Sequence, residues 1–147
     1  MNVNARESKD LLIELVVGAA YEVSNVLGAG FLEKVYERAL LTELRLRGLT
    51  SKPQTVFPVA YKGQCVGEYV ADLVVEDRLI VELKCVDCFS SQHLAQCINY
   101  LKASGLRVAL LINFQKPRVE WRRVAYSSSF TSIHGQENRA DQSSPPE

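Results

Sequence analysis

Apolar residues recur at the spacing of one helical face in the first third of the chain. Between residues 9 and 26 this pattern predicts an amphipathic helix, with Ser8 as its N-cap and Gly28 as the glycine that ends it. A second helix is predicted from about Phe31 to Arg47, and Gly48 ends it. The positions expected to face the core are Leu12, Leu15, Val16, Ala19 and Val23 in the first helix, and Leu32, Val35, Tyr36, Ala39, Leu40 and Leu44 in the second.

The pattern changes to that of β-strands after residue 50. The pattern predicts three strands, at residues 54–61, 65–75 and 79–84, joined by turns at 62–64 and 76–78. We expect these three strands to be antiparallel. Pro58 has no backbone N–H to donate, which favours an edge position for the first of them.

A third helix, from about Ser90 to Ala103, precedes a continuous apolar run at 108–114. Such a run is typical of a strand covered on both faces, as in parallel pairing. A last edge strand is expected at 121–126. The order is therefore α-α-β-β-β-α-β-β, which predicts an α/β fold with a mixed sheet flanked by helices.

Composition limits the domain organisation and the partners. The chain has 147 residues, of which 47% are hydrophobic and 23% charged, and this suits one globular domain at residues 1–126. Residues 127–147 are rich in Ser, Gln, Asn and Pro and are expected to be a disordered tail. Basic and acidic residues both number 17, so the formal net charge is zero. This argues against a protein that binds nucleic acid through a large overall positive charge, but it is compatible with a local basic groove.

The sequence also predicts the cellular location of the protein. The N-terminus carries no apolar signal region, and Glu14, Glu22 and Glu82 interrupt the apolar runs. We therefore expect no membrane partner, a cytoplasmic location and reduced cysteines.

Polar residues interrupt the predicted hairpin at Asp72, Glu82 and Lys84. If residues 76–78 form a three-residue loop, Asp72 lies opposite Glu82, with Cβ atoms about 5 Å apart. Two carboxylates this close favour a cation between them, and oxygen ligands are those that Mg²⁺ accepts. A nearby lysine can orient water or neutralise charge in a transition state. The alternative is an exposed hairpin face with a surface ion pair.

Three motifs carry a family resemblance. Ala71-Asp72 with Glu82-Leu83-Lys84 resembles the core of the PD-(D/E)XK nuclease superfamily, with Ala71 where the superfamily name has Pro. Gln96 and Tyr100 resemble the Gln-x3-Tyr motif of its RecB-like members. The segment Gly30 to Tyr36 is similar to Gly-x2-Glu-x2-Tyr, which names the GxxExxY family of small bacterial proteins. The resemblance covers residues 8–126.

The resemblance implies a restriction-endonuclease-like domain that hydrolyses phosphodiester bonds in DNA with Mg²⁺ or Mn²⁺. It implies that Asp72, Glu82 and the carbonyl of Leu83 are metal ligands and that Lys84 is the catalytic lysine. It also implies that Glu33, on an early helix, ligates or orients the metal. The alternative is a catalytically silent module that binds nucleic acid or protein. The resemblance also allows a homodimer, because superfamily enzymes that cut both strands often pair.

The helix after the hairpin supplies further candidates. The resemblance implies that Gln96 positions Lys84 or a phosphate, and that Tyr100 lies one turn further on the same face. From the residues alone, the alternative for Gln96 is a polar residue at a helix–sheet margin. Tyr36 and Tyr100 are interpreted as packing residues with a hydrogen-bonding hydroxyl.

Two further groups of residues are candidates for binding a metal or a phosphate. The pair Cys85 and Cys88, with Cys65 and Cys97, allows a cysteine-ligated metal, but burial as small hydrophobic residues is the simpler interpretation. A basic cluster around Trp121 is a candidate phosphate-binding rim or a solvated edge strand. This cluster comprises Lys116, Arg118, Arg122 and Arg123.

Overall fold

The computed structural model describes residues 5–127, with side chains from residue 10 onward. The eight elements follow the predicted order. The helices are α1 (Ala5–Leu27), α2 (Glu33–Leu46) and α3 (Ser91–Ser104), and the strands are β1 (Ser51–Tyr61), β2 (Gln64–Val75), β3 (Leu79–Lys84), β4 (Val108–Asn113) and β5 (Glu120–Ala125).

The strands form one mixed sheet in the order β1-β2-β3-β4-β5. The β1–β2, β2–β3 and β4–β5 pairs are antiparallel, as predicted for the first three strands. The chain crosses over through α3, so β3 and β4 pair in parallel. Pro58 lies on the edge strand β1, and β4 is buried along its whole length.

Each face of the sheet carries its own core. On one face α1 and α2 pack against alternate residues of β3 and β4, including Val81, Leu83 and Leu110. On the other face α3 packs against the intervening residues, including Ile80 and Leu111. Period-two alternation in two strands covered on both sides produces this division.

The beginnings of α1 and α2 differ from the prediction. Helix α1 begins at Ala5, so Ser8 lies within it and is not its N-cap. Leu15 is exposed because the buried pairs of α1, from Leu12 and Ile13 onward, face the sheet from the opposite side of the helix.

The apolar stripe of α2 is narrower than predicted. Leu32 has an extended backbone as the N-cap and is 77% exposed, and Val35 also faces outward. The inward face contains Tyr36, Leu40 and Leu44, as predicted.

Helix α3 has a signal at each end. Ser90 forms a capping box with His93, because each side chain bonds to the backbone N–H of the other residue. Gly105 ends the helix with a φ of 78°. These signals place Gln96 and Tyr100 on a helix with defined bounds.

None of the helices in residues 5–127 is long and apolar enough to cross a membrane. Apart from Ser127, the predicted disordered tail lies outside the described residues.

Candidate active site

The site begins at a register that the hairpin turn determines. Residues 76–78 form the turn, and Leu73 and Val81 are the last residues paired between β2 and β3. One step further along the same register, Asp72 lies opposite Glu82. The structure thus confirms the predicted placement of these two residues.

The two strands separate at Asp72 and Glu82. The backbone N–H of Asp72 donates to Oε2 of Glu82 at 2.9 Å, and the N–H of Leu83 donates to Oδ2 of Asp72 at 2.9 Å. Side-chain oxygens therefore accept where backbone carbonyls would accept in a continued ladder. Beyond this point β2 pairs with β1 and β3 pairs with β4, which leaves a fork between them.

Burial and mutual repulsion raise the proton affinity of the two carboxylates in the fork. Glu82 is 3% exposed, and its burial, followed by the negative charge of Asp72, raises its pKa to about 8. Burial likewise raises the pKa of Asp72, although the N–H of Leu83 opposes the shift. The charges of Glu37 and Glu33 raise it further. A proton or a metal ion between the carboxylates relieves this repulsion.

Lys84 lies two residues after Glu82 and projects to the same face of β3. Its Nζ donates to Oε1 of Gln96 on α3 at 3.3 Å. The structure therefore brings together Asp72, Glu82, Lys84 and Gln96. Tyr100 is buried one turn further along α3, with its ring edge-on to Tyr69 at a centroid distance of 5.1 Å.

Glu33 reaches the site from the first residue of α2. Its Oε2 accepts from the backbone N–H of Cys85, the residue after Lys84, at 3.1 Å. The charge of Glu33 also acts on Asp72. The early helix and the hairpin therefore meet at this edge of β3, although 52 residues separate Glu33 from Cys85.

The other motif residues build the turn that presents Glu33. Tyr36 donates its hydroxyl hydrogen to the carbonyl oxygen of Gly28 at 2.6 Å and accepts from the N–H of Phe31 at 3.2 Å. Its ring stacks on Phe114 with centroids 4.8 Å apart. Gly30 has a φ of 109°, which residues with a side chain rarely adopt.

Three polar residues around the site were not predicted from the sequence: Glu37, Gln54 and Asn113. Glu37 is buried on α2 and accepts from Nε2 of Gln54 at 2.8 Å. Asn113 is fully buried and bonds to both the N–H and the carbonyl of Val86. A polar residue within an apolar face or run was the available signal for Glu37 and Asn113, because such groups need buried partners.

The basic residues around Trp121 do not form one surface. Arg122 and Arg123 are consecutive in β5 and point to opposite faces of the sheet. Arg122 lies over the ring of Phe89, whereas Arg123 lies 3.4 Å from Asp10. Lys116 pairs with Glu120 and Arg118 is exposed.

The cysteines differ from the prediction. Cys97 is buried beneath the site, but Cys65 and Cys88 are exposed because they lie at the far end of the hairpin and in the loop after β3. In the described part of the chain, no group of three or more His, Cys, Asp or Glu side chains is arranged to hold a metal.

A metal with mostly water ligands fits the fork better than zinc does. The chain offers two buried carboxylates whose mutual repulsion a cation would relieve. Mg²⁺ is held in this way, because it retains several waters and takes only one or two carboxylates from the protein. Asp72 and Glu82 are the residues that could hold it.

Comparison with known proteins gives the family. The sequence model of the PD-(D/E)XK nuclease superfamily matches residues 10–124. The chain belongs to this superfamily. Its members generally use divalent metals and act on nucleic acid, and the mixed five-stranded sheet flanked by helices is consistent with the superfamily fold.

Two solved structures have a fold similar to that of this chain. A crystal structure of SSO0001 matches with a TM-score of 0.54 and 15% identity, over 93% of this chain and 69% of that chain. The alkaline exonuclease LHK-Exo from Laribacter hongkongensis matches with a TM-score of 0.51 and 11% identity, over 97% of this chain and 79% of that chain. No curated protein matches the sequence.

Proposed function

We propose that the chain is a Mg²⁺- or Mn²⁺-dependent nuclease that hydrolyses phosphodiester bonds in DNA. The observation that carries the proposal is the fork, where the buried carboxylates of Asp72 and Glu82 lie beside Lys84. Membership of the superfamily supports a nuclease. The Gly30, Glu33 and Tyr36 motif supports placement in the GxxExxY branch.

Each residue of the site has a distinct proposed role. Asp72 and Glu82 hold the metal, with the carbonyl of Leu83 and the carboxylate of Glu33 as further oxygen donors. A bound Mg²⁺ would polarise the phosphate and lower the pKa of a bound water. Backbone N–H groups fix one oxygen of each fork carboxylate, so little reorganisation is needed when a cation binds.

Lys84 and Gln96 act on the phosphate side of the site. The ammonium of Lys84 neutralises charge that develops on the phosphate oxygens in the transition state. Gln96 accepts from Lys84 and so limits the positions of its flexible side chain. Tyr100 supports this part of α3 from the core, and its role is packing.

A divalent-metal cleavage assay tests the proposal. Single-stranded, duplex and branched DNA, and matching RNA, are incubated with Mg²⁺, Mn²⁺ or EDTA. The variants are Lys84→Ala and the control Lys52→Ala, which removes an exposed lysine of β1. We expect metal-dependent cleavage of DNA by wild type and Lys52→Ala, and at least a hundredfold loss in Lys84→Ala.

The other outcomes are also informative. Metal-dependent cleavage that survives in Lys84→Ala would contradict the assignment of the active site to the fork and Lys84. Absence of cleavage with every substrate would favour the silent binding module. End-labelled and circular DNA substrates distinguish an exonuclease from an endonuclease. The similarity to LHK-Exo, an alkaline exonuclease, suggests cleavage from an end. Light scattering gives the mass in solution and tests a homodimer, which would place two sites on a duplex.

A further inference from the structure

Gln54 has an unusual backbone conformation for a residue inside a strand. Its φ is 50°, in the left-handed region that residues with a side chain seldom adopt. The other non-glycine residues with positive φ in the described chain are Lys62, Glu76 and Asp77, and these lie in the hairpin turns. No turn accounts for the conformation of Gln54, and outliers of this kind cluster at functional sites.

Gln54 lies opposite Asp72. Pro53 pairs with Leu73 and Thr55 pairs with Ala71, and this register places Gln54 across from Asp72. Strand β2 changes the phase of its alternation at the same point, because Ala71 packs in the α3 core whereas Leu73 packs in the opposite core. Local irregularities in a strand redirect side chains beside active sites.

A buried carboxylate holds the side chain of Gln54. Its Nε2 donates to Oε2 of Glu37 at 2.8 Å, and Nζ of Lys34 donates to Oε1 of Glu37 at 3.0 Å. Glu37 is 6% exposed and lies one helical turn after Glu33 on the same face of α2. The contact therefore links α2 to β1 beside the fork.

We propose that Gln54 and Glu37 are positioning residues that hold Asp72 in the orientation in which it receives a divalent metal. Their hydrogen bond maintains the left-handed conformation at Gln54. That conformation turns Asp72 out of the regular alternation of β2 and toward Glu82. Neither residue touches the metal or the nucleic acid. The inference rests on the proposed function, because it concerns the same site.

An exchange of donor and acceptor tests the contact. Gln54→Met keeps the length of the side chain but removes the donor. The exchange variant, with Gln54→Glu and Glu37→Gln together, rebuilds the bond in the opposite direction at unchanged net charge. We expect Gln54→Met to weaken Mn²⁺ binding about tenfold by titration calorimetry, and the exchange variant to recover to within about threefold of wild type.

Lys52→Met is the matched control, because it removes an exposed polar side chain and its ion pair with Asp77 from the same strand. Its Mn²⁺ affinity should equal that of wild type. Urea unfolding of every variant separates positioning from stability, since a purely structural role would lower stability and leave the Mn²⁺ affinity unchanged. If Gln54→Met does not fold, Gln54→Ala, which also lacks the donor and does not favour positive φ, gives the same comparison.

Several outcomes would overturn the inference. One is wild-type Mn²⁺ affinity in the folded variant that lacks the Gln54 side chain. Another is an exchange variant that binds as weakly as Gln54→Met. If either occurs while wild type binds Mn²⁺ and cleaves DNA through Lys84, the positioning role of Gln54 and Glu37 is wrong and the proposed nuclease function is retained. If wild type binds no Mn²⁺, both the positioning role and the proposed metal-dependent nuclease function are wrong.

Discussion

The hydroxyl of Tyr36 donates to the carbonyl oxygen of Gly28 at 2.6 Å, across the turn that joins α1 to α2. The hydroxyl oxygen of Tyr36 also accepts from the N–H of Phe31. One buried side chain therefore satisfies two backbone groups of the turn. Because Glu33 follows directly, the contact also sets where α2 begins and where the Glu33 carboxylate lies.

Removal of this hydroxyl should destabilise the fold. Tyr36→Phe keeps the stack on Phe114 but leaves the carbonyl of Gly28 and the N–H of Phe31 without this partner. We expect the free energy of unfolding in urea to fall by about 1–3 kcal/mol. Tyr61→Phe, at an exposed tyrosine of β1, is the control and should change stability little. Equal stability of the two variants would contradict a structural role for the Tyr36 hydroxyl.

Loss of the amide at Gln96 should impair catalysis more than folding. Gln96→Met removes the acceptor that lies 3.3 Å from Nζ of Lys84 and keeps the length of the side chain. We expect kcat to fall about tenfold or more with the unfolding free energy little changed. Gln92→Met, at an exposed position one turn earlier on α3, is the control. Wild-type kcat in Gln96→Met would show that Lys84 does not depend on this contact.

The raised pKa of Glu82 predicts how stability depends on pH. The pKa is 4.5 in the unfolded chain and about 8 in the folded one, so the folded state binds more protons between these values. Without metal, stability should therefore be greatest near the lower end of this window and fall as pH rises toward 8. The loss should be on the order of a few kcal/mol, measured by urea unfolding in EDTA.

Two comparisons check the origin of that dependence. Glu82→Gln should flatten the profile, because the amide does not titrate. Mg²⁺ should stabilise wild type more at pH 8 than at pH 5.5, since metal binding needs deprotonated carboxylates. A steep profile in Glu82→Gln would assign the dependence to another group.

The sequence alone determined the elements, their order and the pairing of Asp72 with Glu82. Helical spacing, strand alternation and glycine stops act over short distances, so they can be recognised without a structure. The three-residue turn at 76–78 then sets the hairpin register and places the two carboxylates opposite each other. The Gly30, Glu33 and Tyr36 motif was also recognisable, although its hydrogen bonds were not.

Only the tertiary structure decided which distant residues meet at the fork. Glu33 contacts Cys85 across 52 residues, and Glu37 contacts Gln54 from another element. Tertiary structure also decided that Arg122 lies over Phe89 and Arg123 beside Asp10, and it left Leu15 and Leu32 exposed. Local pattern sets which side of an element is apolar, but packing of whole elements decides what that side meets. Desolvation, which raises the pKa of Glu82, likewise exists only after α3 covers the sheet.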